Sequence, residues 1–269
     1  MLRPRAGIPK TEEEKSAMRS LLTVLSLLFC LGTTAWADEC FLCRKTSPPY
    51  PLKSLSYTES RSVTHLVCQA CIKDKAACSI CTGPTVAKPE LDGRHICPDC
   101  RKVAIDSPGE IETLYREIQS FVHTLTGVKV EAASIPIRLV QSDEMDTRFA
   151  ESSGRSFRAH AFYQPYNPEM IYVLSGHSAY DLGPTLAHEY THAWQSRLCP
   201  AQDRMVTEGF ATWVGYKYAL SKGYTEQARQ MMTLRDPDYG EGLKKCLEIE
   251  KRSGIKGLVA FVRKEQKFP

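Results

Sequence analysis

Between residues 107 and 127 apolar side chains recur at helical spacing: Ile111, Leu114, Tyr115, Ile118, Val122 and Leu125. Such spacing lines one face of a 3.6-residue helix. Ser107-Pro108-Gly109-Glu110 reads as a capping box with Pro in the first helical position, and Gly127 reads as the stop. Three β-like runs follow, over 135–140, 157–163 and 170–174. The third stands just ahead of a helix and is expected to be the sheet edge along which an extended peptide lies. That helix is predicted to begin at Gly183-Pro184, with Pro in its first turn, and to end at Leu198-Cys199-Pro200. Helices are also predicted over 206–220, closed by Lys222-Gly223, and over 225–234, 242–252 and 256–264. The expected class is α+β.

One apolar run has a different character. Residues 21–31 follow Met18-Arg19-Ser20 and precede Ala35-Trp36-Ala37. A charged start, a short apolar middle and an A-x-A end make a secretory signal peptide. The run falls short of the roughly twenty residues that span a bilayer. The expectation is a leader over 1–37, cleavage after Ala37 and an exported chain with no lipid or membrane anchor. A leader that is not a signal would leave the chain cytoplasmic.

The chain has 269 residues and a net charge of +4, and the leader's five Lys or Arg against three Glu leave the remainder near +2. That is no electrostatic footprint for nucleic acid. Cysteine usage divides the chain more sharply than charge does. Of eleven cysteines, eight fall in four C-x-x-C pairs: Cys40/Cys43, Cys68/Cys71, Cys78/Cys81 and Cys97/Cys100. Each pair aims two thiolates at one point, and two pairs complete a tetrahedron. The fifteen residues between Cys81 and Cys97 suit a zinc ribbon or half of a LIM domain. In the longer interval after Cys43, His65 competes as a ligand. Exported cysteines usually form disulfides, but the partners within a C-x-x-C pair rarely staple a fold, so two structural zinc ions are expected. A double zinc ribbon over 38–105 would precede a globular domain over 106–269 and offer a surface to a protein partner. Cys30 lies in the leader, and Cys199 and Cys246 are left over and, in an exported chain, are expected to pair.

Residues 188–192 read His188-Glu189-Tyr190-Thr191-His192. On a helix, positions i and i+4 share a face, so His188 and His192 can both reach one zinc ion. Glu189, offset by one residue, can reach a water at that metal as general base. Glu208-Gly209-Phe210-Ala211 offers a third ligand in Glu208, sixteen residues past His192, with Asp203 and Glu226 as alternatives. Glu208 is preferred because the glycine beside it would let its helix approach the first one. For a group that holds the oxyanion, His177, Tyr216 and Tyr218 are candidates, and Thr212 could orient a ligand. Phe210, Trp194 and Trp213 read as core.

The string Leu91 to Cys100, Leu114-Tyr115 and Ile118-Gln119 on the next helix, and Gly176, Leu186-Ala187-His188-Glu189, His192-Ala193-Trp194 and Glu208-Gly209 together resemble the plant LIM-domain peptidases that limit organ size, the "DA-one" family, and their bacterial relatives. The resemblance covers roughly 78–215. It implies a gluzincin-like peptidase with zinc ribbons attached, one catalytic zinc on His188, His192 and Glu208, and Glu189 as base. A secretory leader is expected here where the plant members carry ubiquitin-binding segments, so their ubiquitin control is not carried over. The expected function is a zinc metallopeptidase acting on protein or peptide substrates. The rival readings are a ribbon scaffold with an inactive peptidase-like domain, and an envelope zinc amidase.

Overall fold

A computed structural model describes residues 38–46, 52–56, 64–130, 135–153 and 159–269. The expected leader over 1–37 lies outside the described residues. No described helix is long and apolar enough to cross a membrane. The elements are β1 (Leu52–Ser56), β2 (Thr64–Cys68), α1 (Gln69–Asp74), β3 (Ala76–Ala77), β4 (Pro84–Thr85), α2 (Pro98–Arg101), α3 (Pro108–Thr126), β5 (Ile137–Val140), α4 (Ser142–Ser153), β6 (Ala161–Gln164), β7 (Met170–Leu174), α5 (Ala179–Leu198), α6 (Arg204–Ser221), α7 (Thr225–Met232), a π-turn (Pro237–Glu241) and α8 (Gly242–Val262). The chain is α+β, with helices outweighing three small sheets.

The N-terminal part holds two antiparallel pairs, β1–β2 and β3–β4. Each sits beside one four-cysteine cluster, and the eight cysteines with Val67 and Ile96 form a small core of their own. The larger core lies between α3, α5, α6, α8 and one face of the third, three-stranded sheet. The capping box at Ser107 and Glu110 is present, and Gly127 closes α3 in the left-handed conformation at φ 68°. Five of its six buried residues, Ile111, Leu114, Tyr115, Ile118 and Val122, belong to this core.

The third sheet runs β5-β7-β6, with β5 parallel and β6 antiparallel to β7. The expectation that Met170–Leu174 is the edge is therefore corrected: β7 is the central strand and β6 is an edge. The reason is legible in retrospect. Met170-Ile171-Tyr172-Val173-Leu174 is apolar at every position, as a strand covered on both faces must be. Ile171 and Val173 join the main core, while Tyr172 and Leu174 pack with Phe162 and Met145 on the other side. Helix α4, which supplies Met145, was not anticipated; its sequence is acidic at the start and weakly periodic. The two C-terminal helices expected over 242–252 and 256–264 are present as α8, which turns sharply at Gly254 (φ 70°, ψ 175°).

The second ribbon is bonded into the globular part. Arg94 Nη1 donates to Ser175 O at 2.7 Å, and its Nη2 reaches Ser175 Oγ and Gln141 Oε1. Asp92 pairs with Arg94 at 2.7 Å and accepts from the Ser142 amide at the start of α4. Both side chains are at most 5% exposed. Burial pushes the Asp92 carboxyl up, but the Ser142 and Arg94 donors hold it below its ordinary range. Further on, Ala104 bridges Ser178, and Ile105 exchanges main-chain hydrogen bonds with His177 and Gly176. Main-chain pairing thus crosses the boundary expected at 105.

Candidate metal centre and cleft

Helix α5 starts earlier than expected. Ser178 is its N-cap, and the Ser178–Asp181 capping box is complete, with Asp181 Oδ2 accepting from the Ser178 amide at 3.1 Å. Pro184 is therefore inside the helix rather than in its first turn. An interior proline has no N–H for the carbonyl four residues back. Here that carbonyl is Tyr180 O, and Gln227 Nε2 of α7 donates to it at 3.0 Å. The same stretch is pressed against α6: a Cβ on Gly183 would meet the Tyr218 ring at 2.5 Å, and one on Gly215 would meet Pro184 O at 2.7 Å.

Three ligand atoms converge where α5 faces α6. His188 Nε2 lies 2.9 Å from His192 Nε2, and Glu208 Oε2 lies 3.2 and 3.3 Å from them. Ligands 2.0–2.1 Å from a tetrahedral zinc ion would be spaced by about 3.3 Å. Glu208 Oε2 is buried and accepts no hydrogen bond, so its geometry suits a cation better than a donor. Burial alone would push the Glu208 carboxyl up, yet the two imidazoles hold it well below its ordinary range. Burial alone would push His192 down, yet Glu208 and Glu189 raise it. The residues thus fit a divalent metal such as zinc.

A second layer sets the ring orientations. Gln195 Nε2 donates to Thr207 O at 3.1 Å, which turns Gln195 Oε1 toward His192 Nδ1, also at 3.1 Å. With its proton on Nδ1, His192 presents the Nε2 lone pair to the centre. Thr212 Oγ1 stands 3.5 Å from His188 Nδ1, the orienting place expected for it. Arg204 Nε lies 3.8 Å from Glu208 Oε1 and 3.1 Å from Asp238, so the carboxylate is held on its far side too.

The other acidic candidates are spoken for. Asp203 caps α6 by accepting from the Val206 amide, and Glu226 pairs with Arg229 on an exposed face. The reason for preferring Glu208 needs correction, however. Gly209 does not face α5. It meets Gly242 of α8 backbone to backbone, and a Cβ on either would lie 2.6 Å from the other's Cα.

The cleft at this centre has a volume of about 790 Å³. One wall is β6, where the Tyr163 amide donates to Glu189 Oε2 at 2.8 Å. Pro184, Met231 and Leu234 add apolar surface to its lining. None of the three candidates for holding an oxyanion lines this cleft. His177 is buried against His160 at 4.2 Å between ring centroids, where burial pulls its imidazole down to about 3. Tyr218 is buried and donates to Glu117, and Tyr216 packs on the main core. Tyr239 was missed. It lies on the π-turn, its ring stacked on His188 at 5.8 Å and 14°. Burial raises its phenol, so it keeps its proton and can donate. Its only sequence signal was a Tyr in the Pro-Asp-Tyr-Gly turn that precedes α8; π-turns frequently mark functional sites.

The eight paired cysteines gather as expected, into Cys40, Cys43, Cys68 and Cys71 and into Cys78, Cys81, Cys97 and Cys100. Cys43 and Cys68 Sγ are 3.8 Å apart, as are Cys81 and Cys97 Sγ. Zinc–sulfur bonds of 2.3 Å in a tetrahedron require about 3.8 Å. Amides of Cys68, Cys97 and Cys100 point at cluster sulfurs, as around thiolates. Both clusters could hold zinc. His65 is outside the first cluster: it stacks on Phe41 and bonds Asp99 Oδ2 at 2.7 Å. Cys199 and Cys246 are both free thiols, so the expected pair is not formed. Burial pushes the Cys199 thiol up to about 11 and raises that of Cys246 as well. No protein-family model, curated protein or solved structure matches the chain.

Proposed function

We propose that the protein is a zinc-dependent endopeptidase of the gluzincin kind. The observation that carries this reading is the convergence of His188, His192 and Glu208 within 3.3 Å of one another, in a cleft whose wall is a sheet edge bonded to Glu189. His188, His192 and Glu208 would hold zinc, which supplies Lewis acidity to a water and to the scissile carbonyl when bound. Glu189 takes the proton of the attacking water and returns it to the leaving amine. The Tyr239 hydroxyl, protonated and one ring-stack from His188, donates to the oxygen that becomes negative. Arg204 and Gln195 keep Glu208 and His192 oriented without touching substrate. Strand β6 aligns an extended chain, and the apolar surface of Pro184, Met231 and Leu234 takes an apolar side chain next to the cleaved bond. The two cysteine clusters would hold structural zinc.

Glu189→Gln tests the reading. It should retain three zinc ions per chain and lose about a hundred-fold to ten-thousand-fold in peptide hydrolysis, whereas Glu208→Ala should lose the catalytic zinc as well. Full turnover by Glu189→Gln on every peptide that wild type cleaves sinks the mechanism.

A further inference from the structure

We infer that the main-chain N–H of Tyr163 aims the Glu189 carboxylate, so that the strand that receives the substrate also positions the base. The inference rests on the peptidase reading above. In an antiparallel pair, successive residues alternate between bonding the neighbour strand and facing away from it. His160 O accepts from Leu174 N at 2.8 Å, and the register pairs Ala161 with Val173 and Tyr163 with Ile171. Phe162 and Gln164 therefore bond β7, while the N–H and C=O of Ala161 and Tyr163 face away from it, and β6 is an edge. The Tyr163 N–H is the one that meets Glu189 Oε2, at 2.8 Å.

Two consequences follow from that bond. Glu189 is anchored through one oxygen, which leaves Oε1 as the atom that receives the proton of the attacking water. A substrate strand cannot take the Tyr163 N–H without releasing the base. It must pair through the Ala161 N–H and C=O and the Tyr163 C=O, which puts the bond to be cleaved level with Tyr163. Tyr163 is thus a positioning residue that acts through its main chain. Its phenol is engaged elsewhere, donating to Glu169 Oε1 at 2.5 Å.

Amide exchange in zinc-loaded, full-length protein carrying ¹⁵N-tyrosine tests this without any substrate. An outward amide on an edge strand exchanges fast unless something accepts from it. The Tyr163 amide should be protected in wild type and exchange at least about ten-fold faster in Glu189→Ala, with Tyr172 on the central strand unchanged. Equal Tyr163 exchange in the two proteins overturns the inference. Kinetics give a second arm. Proline is tolerated in an edge strand where its missing N–H faces outward. Tyr163→Pro should keep KM and lower kcat about a hundred-fold, and Ala161→Pro should raise KM at nearly constant kcat. Tyr163→Pro with unchanged kcat also overturns it. If Tyr163→Pro loses its zinc, the exchange result decides alone. If wild type cleaves no peptide, the peptidase reading fails and the exchange result still decides whether the strand holds Glu189.

Discussion

Directly after Cys43 the chain turns through Arg44 at φ 60°; directly after Cys81 it turns through Thr82 at φ 61°. In both knuckles the amide of that residue bonds back to the carbonyl of the first cysteine, at 2.9 Å. Locally the two cysteine clusters are one motif used twice. Their attachments differ. The first is tied to the second by His65 and Asp99, 2.7 Å apart and each less than 20% exposed. The second is tied to the globular part by the buried Asp92–Arg94 pair, by the start of α4, and by main-chain bonds to residues 176 and 177, directly ahead of the cap of α5. A cluster's influence reaches as far as the bonds of its scaffold reach. The second cluster therefore belongs to the machinery that places His188, and the first belongs to the second.

Substitution of single ligands should break the symmetry most strongly. Cys97→Ser should release zinc from the second cluster, loosen the 104–105 strand from the cap of α5 and lower peptidase activity at least about a hundred-fold. Cys43→Ser should release one zinc and keep activity within about three-fold. Zinc stoichiometry and peptide turnover, measured on both, check the contrast; equal losses would remove it. Next in size is Arg94→Met, which leaves the Asp92 carboxylate buried without its cation. Breaking such a pair costs about 3–5 kcal/mol, a fall in Tm of roughly 10 °C in a calorimetric scan. The smallest effect belongs to the tie between ribbons. Asp99→Asn should cost about 1 kcal/mol and leave turnover unchanged. Lys102 and His65 hold the Asp99 carboxyl below its ordinary range. That contribution is therefore present above the unfolded carboxyl's pKa near 4 and is lost as pH falls through the lower folded value. Melting curves of wild type and Asp99→Asn should converge on acidification.

Much of the site was legible because it is local. A histidine pair four residues apart declares its own face, and the Ser107 capping box and the four C-x-x-C pairs declare theirs. Glu208 was legible from its place sixteen residues past His192 and from the resemblance, and the glycine argument for it pointed at the wrong helix. Pro184 misled because a proline after glycine marks a helix start in the absence of context; Ser178 and Asp181 carried the true signal, three residues apart. What stayed hidden depends on long-range pairing. Arg94 meets Ser175 across 81 residues, and nothing in either neighbourhood announces it. Tyr239 comes 31 residues after Glu208, on a turn whose geometry depends on how α6 and α8 pack. The edge position of β6 follows from strand order, which alternation of side chains does not encode.

The contact between Gly209 and Gly242 sets a limit on how this cleft can change. Glu208 stands on α6 and Tyr239 on the π-turn that runs into α8, and α6 and α8 touch at Gly209 and Gly242 through bare backbone, with no side chain there to trim or enlarge. Any residue at Gly209 pushes into Gly242, and any residue at Gly242 pushes into Gly209 and the Met205 carbonyl. Replacing either glycine forces the helices apart at once, so the gap cannot be tuned in small steps. The distance between the Glu208 carboxylate and the Tyr239 phenol is set at the level of the main chain, and change in the cleft is confined to the walls around it.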